Sequence, residues 1–249
     1  YAYAQGAKEY RSYGSMSYRE LEKYAWGENN GLFEEVDEND KRKMYFDIDD
    51  KFISEEHLQK QVCLIHEIIA RVLNLPPNDD IDAVICYGKG DNGGYIKASF
   101  HMIIQGYYFA NHADMLKCMR FIQYIVNMED KYAILQNKVM DFNVYGKRQA
   151  FKLPYQTKPN KKIKQIPMCE DDTLDKYLLT YIEDDAVEID VSEFEKYAGK
   201  EKQVKLATGK SIKVDFTKAM IIDAMKTALP KDFQVDIGNQ PNTNNIYEN

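Results

Sequence analysis

Residues 41–51, "KRKMYFDIDDK", run from a basic and apolar stretch into three closely spaced carboxylates. The alternating pattern predicts a β-strand, because neighbouring side chains of a strand point to opposite faces. One face then carries Tyr45, Asp47 and Asp49. The other face is apolar and suits a protein core; it consists of Met44, Phe46 and Ile48. The stretch therefore predicts a half-buried strand with one acidic face.

Asp47 and Asp49 lie about 6–7 Å apart on that face, which is the length of two strand residues. Two like charges at this spacing repel each other unless water or a cation screens them. Mg²⁺ and Mn²⁺ prefer hard carboxylate oxygens, so the pair is a candidate metal site. The alternative is a strand that runs out into a solvated acidic turn, and a D-x-D motif alone does not decide between the two.

The bulk composition, 44% hydrophobic and 29% charged residues among 249, is typical of a globular protein. No run reaches the roughly 18 apolar residues of a membrane span, so we expect no membrane partner. Four widely spaced cysteines form no C-x-x-C pair, which favours a reducing, cytoplasmic compartment and leaves a nucleus or a viral replication site open. The missing initial Met and the polar end are expected of a fragment excised from a longer protein.

Periodicity predicts a mixture of helices and strands, which we divide into a domain at 1–190 and an appendage at 191–249. The predicted helices lie at 15–25, between Ser54 and about residue 72, at 112–128 and at 172–182. The predicted strands lie at 43–49, in a hairpin over 81–104, at 139–145 and at 150–153. This order predicts an α+β fold with helices on a largely antiparallel sheet.

The appendage at 191–249 is predicted to hold a linker helix, a small hairpin that turns at Thr208-Gly209, a helix at 217–228 and a mobile tail. Its "ATGKS" resembles the end of a phosphate-binding P-loop. We reject that interpretation because Val204 occupies the position of the first glycine and a strand-like segment follows.

In "YIKASFHMII", Lys97, Ser99 and His101 share one face of a predicted strand. An ammonium, a hydroxyl and an imidazole in a row are donors suited to phosphate oxygens. The alternative is an exposed strand face. A nucleophilic Ser–His pair is disfavoured, because side chains two residues apart on a strand run parallel rather than towards each other.

The net charge of −7 argues against a general nucleic-acid binder, but the charge is unevenly distributed. Residues 142–164, named here the basic segment, contain no acid. Seven bases lie in it: Lys147, Arg148, Lys152, Lys158, Lys161, Lys162 and Lys164. Such a segment is either a local anion site or a solvated loop, and charge alone does not distinguish them. Asp141 stands alone before it and is a candidate third metal ligand.

Together these stretches resemble the archaeo-eukaryotic primases. A strand ending in D-x-D, an S-x-H on a later strand, and a lone D followed by Y, F-[RK]-L and a distal K occur here in the order of that family. The resemblance covers roughly residues 30–185 and is closest to primase-polymerases and to the primase domains of large DNA virus primase-helicases. It implies the family fold, in which an RRM-like, mainly antiparallel sheet flanked by helices forms a cleft with a small α/β module.

The resemblance also implies a role for each matched residue. The catalytic, metal-binding carboxylates are Asp47, Asp49 and Asp141, with Mg²⁺ or Mn²⁺ as the cofactor. The nucleotide-binding residues are Lys97, Ser99, His101, Lys152 and Lys158. Lys152 departs from the arginine that is usual in the family, and Gln149 occupies a position that is often basic. The remaining bases are assigned to the template: Lys147, Arg148, Lys161, Lys162 and Lys164.

The leading hypothesis is a DNA primase or primase-polymerase that makes and extends primers on single-stranded DNA from nucleoside triphosphates. A helicase domain in the same full-length chain is a candidate partner. One alternative is a repair-type polymerase of the same superfamily, which only extends ends. Two others are a nucleic-acid-binding module with a decayed site, disfavoured by the intact acids, and a D-x-D glycosyltransferase, which leaves Ser99 and His101 unexplained.

Overall fold

The computed structural model describes residues 2–5, 10–26, 30–76, 79–158 and 163–197, with side chains from Tyr13 onward. The strands in these ranges are β1 (Ala2–Gln5), β2 (Tyr10–Tyr13), β3 (Leu32–Val36), β4 (Arg42–Lys51), β5 (Ala83–Asp91), β6 (Ile96–Phe109), β7 (Gln149–Lys152), β8 (Ile166–Pro167) and β9 (Val187–Glu188). The α-helices are α1 (Tyr18–Ala25), α2 (Glu55–Leu73) and α3 (His112–Met128). Short 3₁₀ helices span Asp130–Leu135, Phe142–Val144, Leu174–Tyr177 and Ser192–Tyr197.

The strands form two sheets that are almost entirely antiparallel. The first sheet has the order β2-β1-β3-β7, and the second has the order β4-β6-β5-β8. Strand β9 adds to β6 in parallel. The predicted α+β class, with helices beside a mainly antiparallel sheet, is confirmed. None of the helices within the described ranges is long and apolar enough to cross a membrane.

The α-helices begin where their capping residues predict. Ser17 and Glu20 form a reciprocal capping box at α1. The Ser54 side chain accepts a hydrogen bond from the backbone N–H of His57 at α2, and Asn111 caps α3 in the same way. The apolar faces of α2 and α3 share one core with β4, β5 and β6. The predicted helices at 15–25, after Ser54 and at 112–128 are therefore confirmed.

Strand β4 has two different faces. Phe46 and Ile48 are buried on the face that packs against α2. Asp50 follows on the same face; its carboxylate accepts a hydrogen bond from Gln61 Nε2 at 2.7 Å and lies 3.1 Å from His57 Nε2. The acidic pair of the D-x-D motif therefore lies on the face turned away from α2.

The helix predicted at 172–182 is wrong. The carbonyl oxygens of Asp175 and Lys176 accept hydrogen bonds from the buried side chains of Lys43 and Gln105. The backbone N–H groups of residues 179 and 180 donate to the buried carboxylate of Glu34. Because these backbone groups are satisfied by side chains from the sheets, a single 3₁₀ turn replaces the helix.

The strand predicted at 139–145 is also wrong, whereas the one at 150–153 is confirmed as β7. Met140 forms one isolated bridge with Ile48. The carboxylate of Asp141 then accepts a hydrogen bond from the backbone N–H of Asn143 and starts a 3₁₀ helix. A local side-chain bond of this kind competes with strand pairing. The predicted linker helix is a 3₁₀ helix at Ser192–Tyr197, and the rest of the appendage lies outside the described residues.

Candidate active site

The register of β4 and β6 brings the two central motifs together. Asp47 lies directly opposite His101, and Asp49 lies directly opposite Ser99. Residues that face each other across an antiparallel pair project to the same side of the sheet. Lys97 completes the row, with its Nζ 2.6 Å from Asp49 Oδ2. The acidic pair and the predicted row of donors therefore share one surface.

Asp141 reaches this surface from a separate part of the chain. Its backbone N–H donates to the carbonyl of Asp47 at 2.9 Å, and the N–H of Asp49 donates to the carbonyl of Val139 at 2.8 Å. The Asp141 carboxylate accepts hydrogen bonds from the backbone N–H and Nδ2 of Asn143. The three carboxyl groups predicted as metal ligands thus come from adjacent stretches of backbone.

The three carboxylate side chains do not converge on a single point. Among the residues that the structure describes, no three His, Cys, Asp or Glu side chains are placed to hold a metal ion as they stand. Lys97 pairs with Asp49, and Asn143 holds Asp141, so two of the three carboxylates have protein partners.

Asp47 is the most perturbed acid of the site. Its side chain is only 13% exposed, and within the described part of the chain its Oδ1 has no hydrogen-bond partner. Burial raises the pKa of Asp47 to about 7, and the negative charges of Asp49 and Asp141 add to that shift. Lys158 opposes it. An acid with these surroundings gains from any cation that reaches it.

His101 has the opposite perturbation. Burial lowers its pKa well below the ordinary value, and the charges of Lys152, Lys158 and Lys97 lower it further. Its Nε2 lies 3.6 Å from Asp47 Oδ1, which is too long for a hydrogen bond. The distance alone would allow an ion pair, but burial and the three lysines disfavour the charged imidazole, so His101 faces Asp47 in its neutral form.

Two bases of the basic segment complete a small pocket over this surface. Its volume is about 130 Å³. It is lined by Asp47, Asp49, Asn92, Lys97, Ser99, His101, Lys152, Lys158 and Ile163. Burial and the neighbouring charge of Lys158 lower the pKa of Lys152 to about 8. The pocket thus has a carboxylate wall on β4 and a basic wall that includes β7 of the other sheet.

The bases assigned to the template lie elsewhere. Lys147 Nζ is 3.0 Å from Glu38, and Arg148 Nε is 2.8 Å from Glu35. Lys164 Nζ lies 5.1 Å from the ring centre of Tyr155. These three residues do not line the pocket, and their template role stays a prediction. Lys161 and Lys162 lie outside the described residues.

A larger cavity of about 530 Å³ lies away from these motifs. Its charged lining consists of Glu35, Asp40, Lys41, Glu183 and Asp184. With four carboxylates and one lysine, this cavity repels polyanions. Volume alone therefore does not identify the site, and the chemistry of the lining favours the smaller pocket.

The sequence analysis missed Asn92, Ile163 and Gln165 as residues of the site. Asn92 contributes to the pocket from the turn between β5 and β6, and Ile163 from the segment before β8. Gln165 Nε2 donates a hydrogen bond to Ser99 Oγ at 3.0 Å. The sequence offers one signal for this segment: Gly88 and Gly90 lie within β5, and glycine inside a strand often marks the close approach of another stretch of backbone.

The arrangement joins clustered carboxylates, which suit divalent cations, to cationic and hydroxyl donors, which suit phosphate. A nucleotide with its metal ions combines both requirements. Comparison of the sequence with models of known protein families and with curated proteins finds no match.

Proposed function

We propose that this chain is a DNA primase or primase-polymerase, which joins nucleoside triphosphates into a primer on a single-stranded DNA template. The observation that carries the proposal is the register of β4 and β6. It sets Asp47 opposite His101 and Asp49 opposite Ser99 in one pocket with Lys152. The proposal equates the β4-β6-β5-β8 sheet with the RRM-like sheet of the primases and the β2-β1-β3-β7 sheet with their smaller module.

Three acids fit Mg²⁺ or Mn²⁺: Asp47 and Asp49, which line the pocket, and Asp141, which does not line it but pairs with Asp47 through its backbone. Among the described residues, the buried Oδ1 of Asp47 has no hydrogen-bond partner, so a bound cation would stabilise the charged form of this acid. Burial raises the pKa of Asp47, and the charges of Asp49 and Asp141 raise it further. These three residues are the proposed ligands. When bound, such ions activate the attacking 3′-hydroxyl and stabilise charge on the phosphate under attack and on the leaving pyrophosphate.

The donors of the pocket orient the triphosphate in this proposal. Lys152 and Lys158 bring positive charge, and Lys97 and Ser99 bring donors from the same strand. His101 is held against Phe151, with 4.7 Å between ring centres, and is therefore fixed in direction. As a neutral imidazole it offers one N–H to a phosphate oxygen. Fixed donors hold the reacting phosphate in position for in-line attack.

The direct test is synthesis on single-stranded DNA with Mn²⁺ or Mg²⁺ and labelled nucleoside triphosphates, without a primer. We expect products from the parent chain and none from Asp47→Asn or Asp49→Asn. Asp50→Asn is the matched control, because Asp50 lies on the same strand but faces α2. Equal synthesis by Asp47→Asn and the parent would contradict the metal-site assignment.

A parallel reaction on primed template separates the alternatives. Extension of the primer without synthesis on unprimed DNA would identify the repair-type polymerase instead. Binding of DNA with no incorporation in either reaction would identify a nucleic-acid-binding module. The helicase partner and the cytoplasmic compartment stay predictions. The helicase prediction can be tested on a longer chain that contains this sequence.

A further inference from the structure

The segment from Ile163 to Gln165 crosses β5 at unusually short range. A methyl group added at Gly88 would lie 2.5 Å from the carbonyl oxygen of Lys164 and 2.9 Å from Ile163 Cγ2. One added at Gly90 would lie 3.0 Å from Ile163 Cγ1. Gly88 pairs with Ser99 in the register of β5 and β6. The two glycines therefore let this segment lie directly on the surface that carries Ser99.

A turn in the preceding chain fixes the segment from its other side. The backbone N–H of Tyr155 donates to the carbonyl of Gln165 at 2.8 Å. Tyr155 has a φ of 63°, which is rare for a bulky residue and costs conformational energy. Pro154 precedes it, and Gln156 N donates to Leu153 O at 3.3 Å. The turn keeps this strained geometry while it holds the backbone of Gln165 in place.

Gln165 itself is fully buried, with a relative exposure of 0%. Its Nε2 donates to Ser99 Oγ at 3.0 Å, and its Oε1 has no partner among the described residues. The reverse orientation of the amide would leave the two N–H donors of Nε2 without the Ser99 oxygen. Among buried backbone groups, unpaired N–H donors are rarer than under-satisfied carbonyl oxygens. The same preference, applied to this side-chain amide, favours the orientation with Nε2 on Ser99.

This orientation decides what the Ser99 hydroxyl can do. Because Ser99 Oγ accepts from Gln165, its own hydrogen points in another direction. Ser99 donates to no acceptor in the described part of the chain, and it lines the pocket. The hydroxyl is therefore left as a donor for an anionic ligand.

We infer that Gln165 is a positioning residue for nucleotide binding, which fixes Ser99 as a hydrogen-bond donor to the triphosphate. The inference rests on the proposed function and adds to it a residue outside the D-x-D, S-x-H and D motifs. Gln165 does not touch the nucleotide in this arrangement. It acts through Ser99, and the glycines of β5 give it access to that strand.

A double-mutant cycle tests the inference. The measurement is the affinity for a non-hydrolysable nucleoside triphosphate analogue with Mg²⁺, by calorimetric titration. Gln165→Met keeps the length of the side chain and removes its hydrogen bonds. We expect it to weaken binding about three- to tenfold, the value of one neutral hydrogen bond. In a Ser99→Ala background the same change should have no further effect.

Gln61→Met is the matched control. Gln61 is another fully buried glutamine, and its Nε2 donates to Asp50 Oδ2 on the face of β4 that is turned towards α2. We expect the control to lower the melting temperature without coupling to Ser99. In steady-state synthesis, Gln165→Met should raise the KM for nucleotide and leave kcat nearly unchanged.

Gly88→Ala gives a second route if Gln165→Met does not fold. The added methyl displaces Lys164 and Ile163, which itself lines the pocket, so we expect weaker analogue binding in both backgrounds and a larger loss when Ser99 is present. Equal losses with and without Ser99 would overturn the inference and leave the proposed function standing. Failure of the parent chain to bind the analogue at all would overturn both.

Discussion

Two pairs of bases in the basic segment, residues 142–164, differ in their surroundings although both pairs carry the same charge. The first pair, Lys147 and Arg148, is exposed and forms ion pairs with acids on or next to β3. Further along, Lys152 and Lys158 line the pocket and face the carboxylates of β4. Neither of them makes an ion pair within 4 Å in the described part of the chain.

The comparison teaches that a run of bases is not one binding surface. Exposed pairs such as Lys147–Glu38 contribute little to stability and already have counter-charges. Lys152 is different, because burial has lowered its pKa to about 8 and its charge lies beside His101 and Asp47. Positive charge at that place can act on a ligand in the pocket.

The largest expected effect is on nucleotide affinity, when the charge of each pair of bases is removed in turn. Lys152→Met with Lys158→Met should weaken binding of a nucleoside triphosphate at least 100-fold, because each charged hydrogen bond is worth about 1.5–3 kcal/mol. Lys147→Met with Arg148→Met should change it less than about twofold. Calorimetric titration measures the nucleotide affinity of both double mutants. Equal losses of affinity would show that the two pairs of bases do not differ in their effect on the pocket.

The next effect concerns the acid that the pocket lysines face. The pKa of Asp47 in the folded chain, about 7, is above the ordinary value of 3.8, so proton binding stabilises the fold. That contribution is complete below about pH 4 and is lost as the pH rises through 7. In EDTA at pH 8, Asp47→Asn should therefore raise the free energy of unfolding by about 1–3 kcal/mol.

Denaturant unfolding at pH 8 and pH 4 measures this gain, which should disappear at the lower pH. Glu38→Gln is the control, because Glu38 forms an exposed ion pair with Lys147. It should change the free energy of unfolding by less than about 1 kcal/mol, because an exposed ion pair is weak. A gain for Asp47→Asn that is the same at both pH values would show that charge is not its cause.

A smaller effect is expected from the pH dependence of nucleotide binding. Lys152 loses its proton near pH 8, so nucleotide affinity should fall about tenfold between pH 7 and pH 9. Lys152→Arg keeps its charge over this range and should flatten the profile. Binding titrations at several pH values compare the two chains, and identical profiles would assign the titration to another group.

The smallest effect is on the salt dependence of single-stranded DNA binding. Lys164 has no ion pair in the described residues, so Lys164→Ala should lower the log–log salt slope by about 0.7. Lys147→Ala should lower it less, because Glu38 already neutralises that lysine. Anisotropy titrations at several salt concentrations measure the slopes. An unchanged slope for Lys164→Ala would place the template path elsewhere.

Several features of the fold could be predicted because their causes are local. Ser17 and Ser54 mark helix starts through bonds to residues three positions away. The faces of the D-x-D and S-x-H strands follow from the two-residue period of a strand. The helix expected at 172–182 could not be corrected in this way, since the groups that replace it are Glu34, Lys43 and Gln105, more than 65 residues earlier in the chain.

The sequence by itself determined which side chains share a face and that Asp47 and Asp49 stand together, because alternation along a strand is a local property. It also placed seven bases in one segment. Only the tertiary structure decided which bases meet the carboxylates and that Gln165 reaches Ser99. The reason is physical: strand register, the approach of residues 163–165 to Gly88, and the burial that shifts the pKa of Asp47 all depend on contacts between distant parts of the chain.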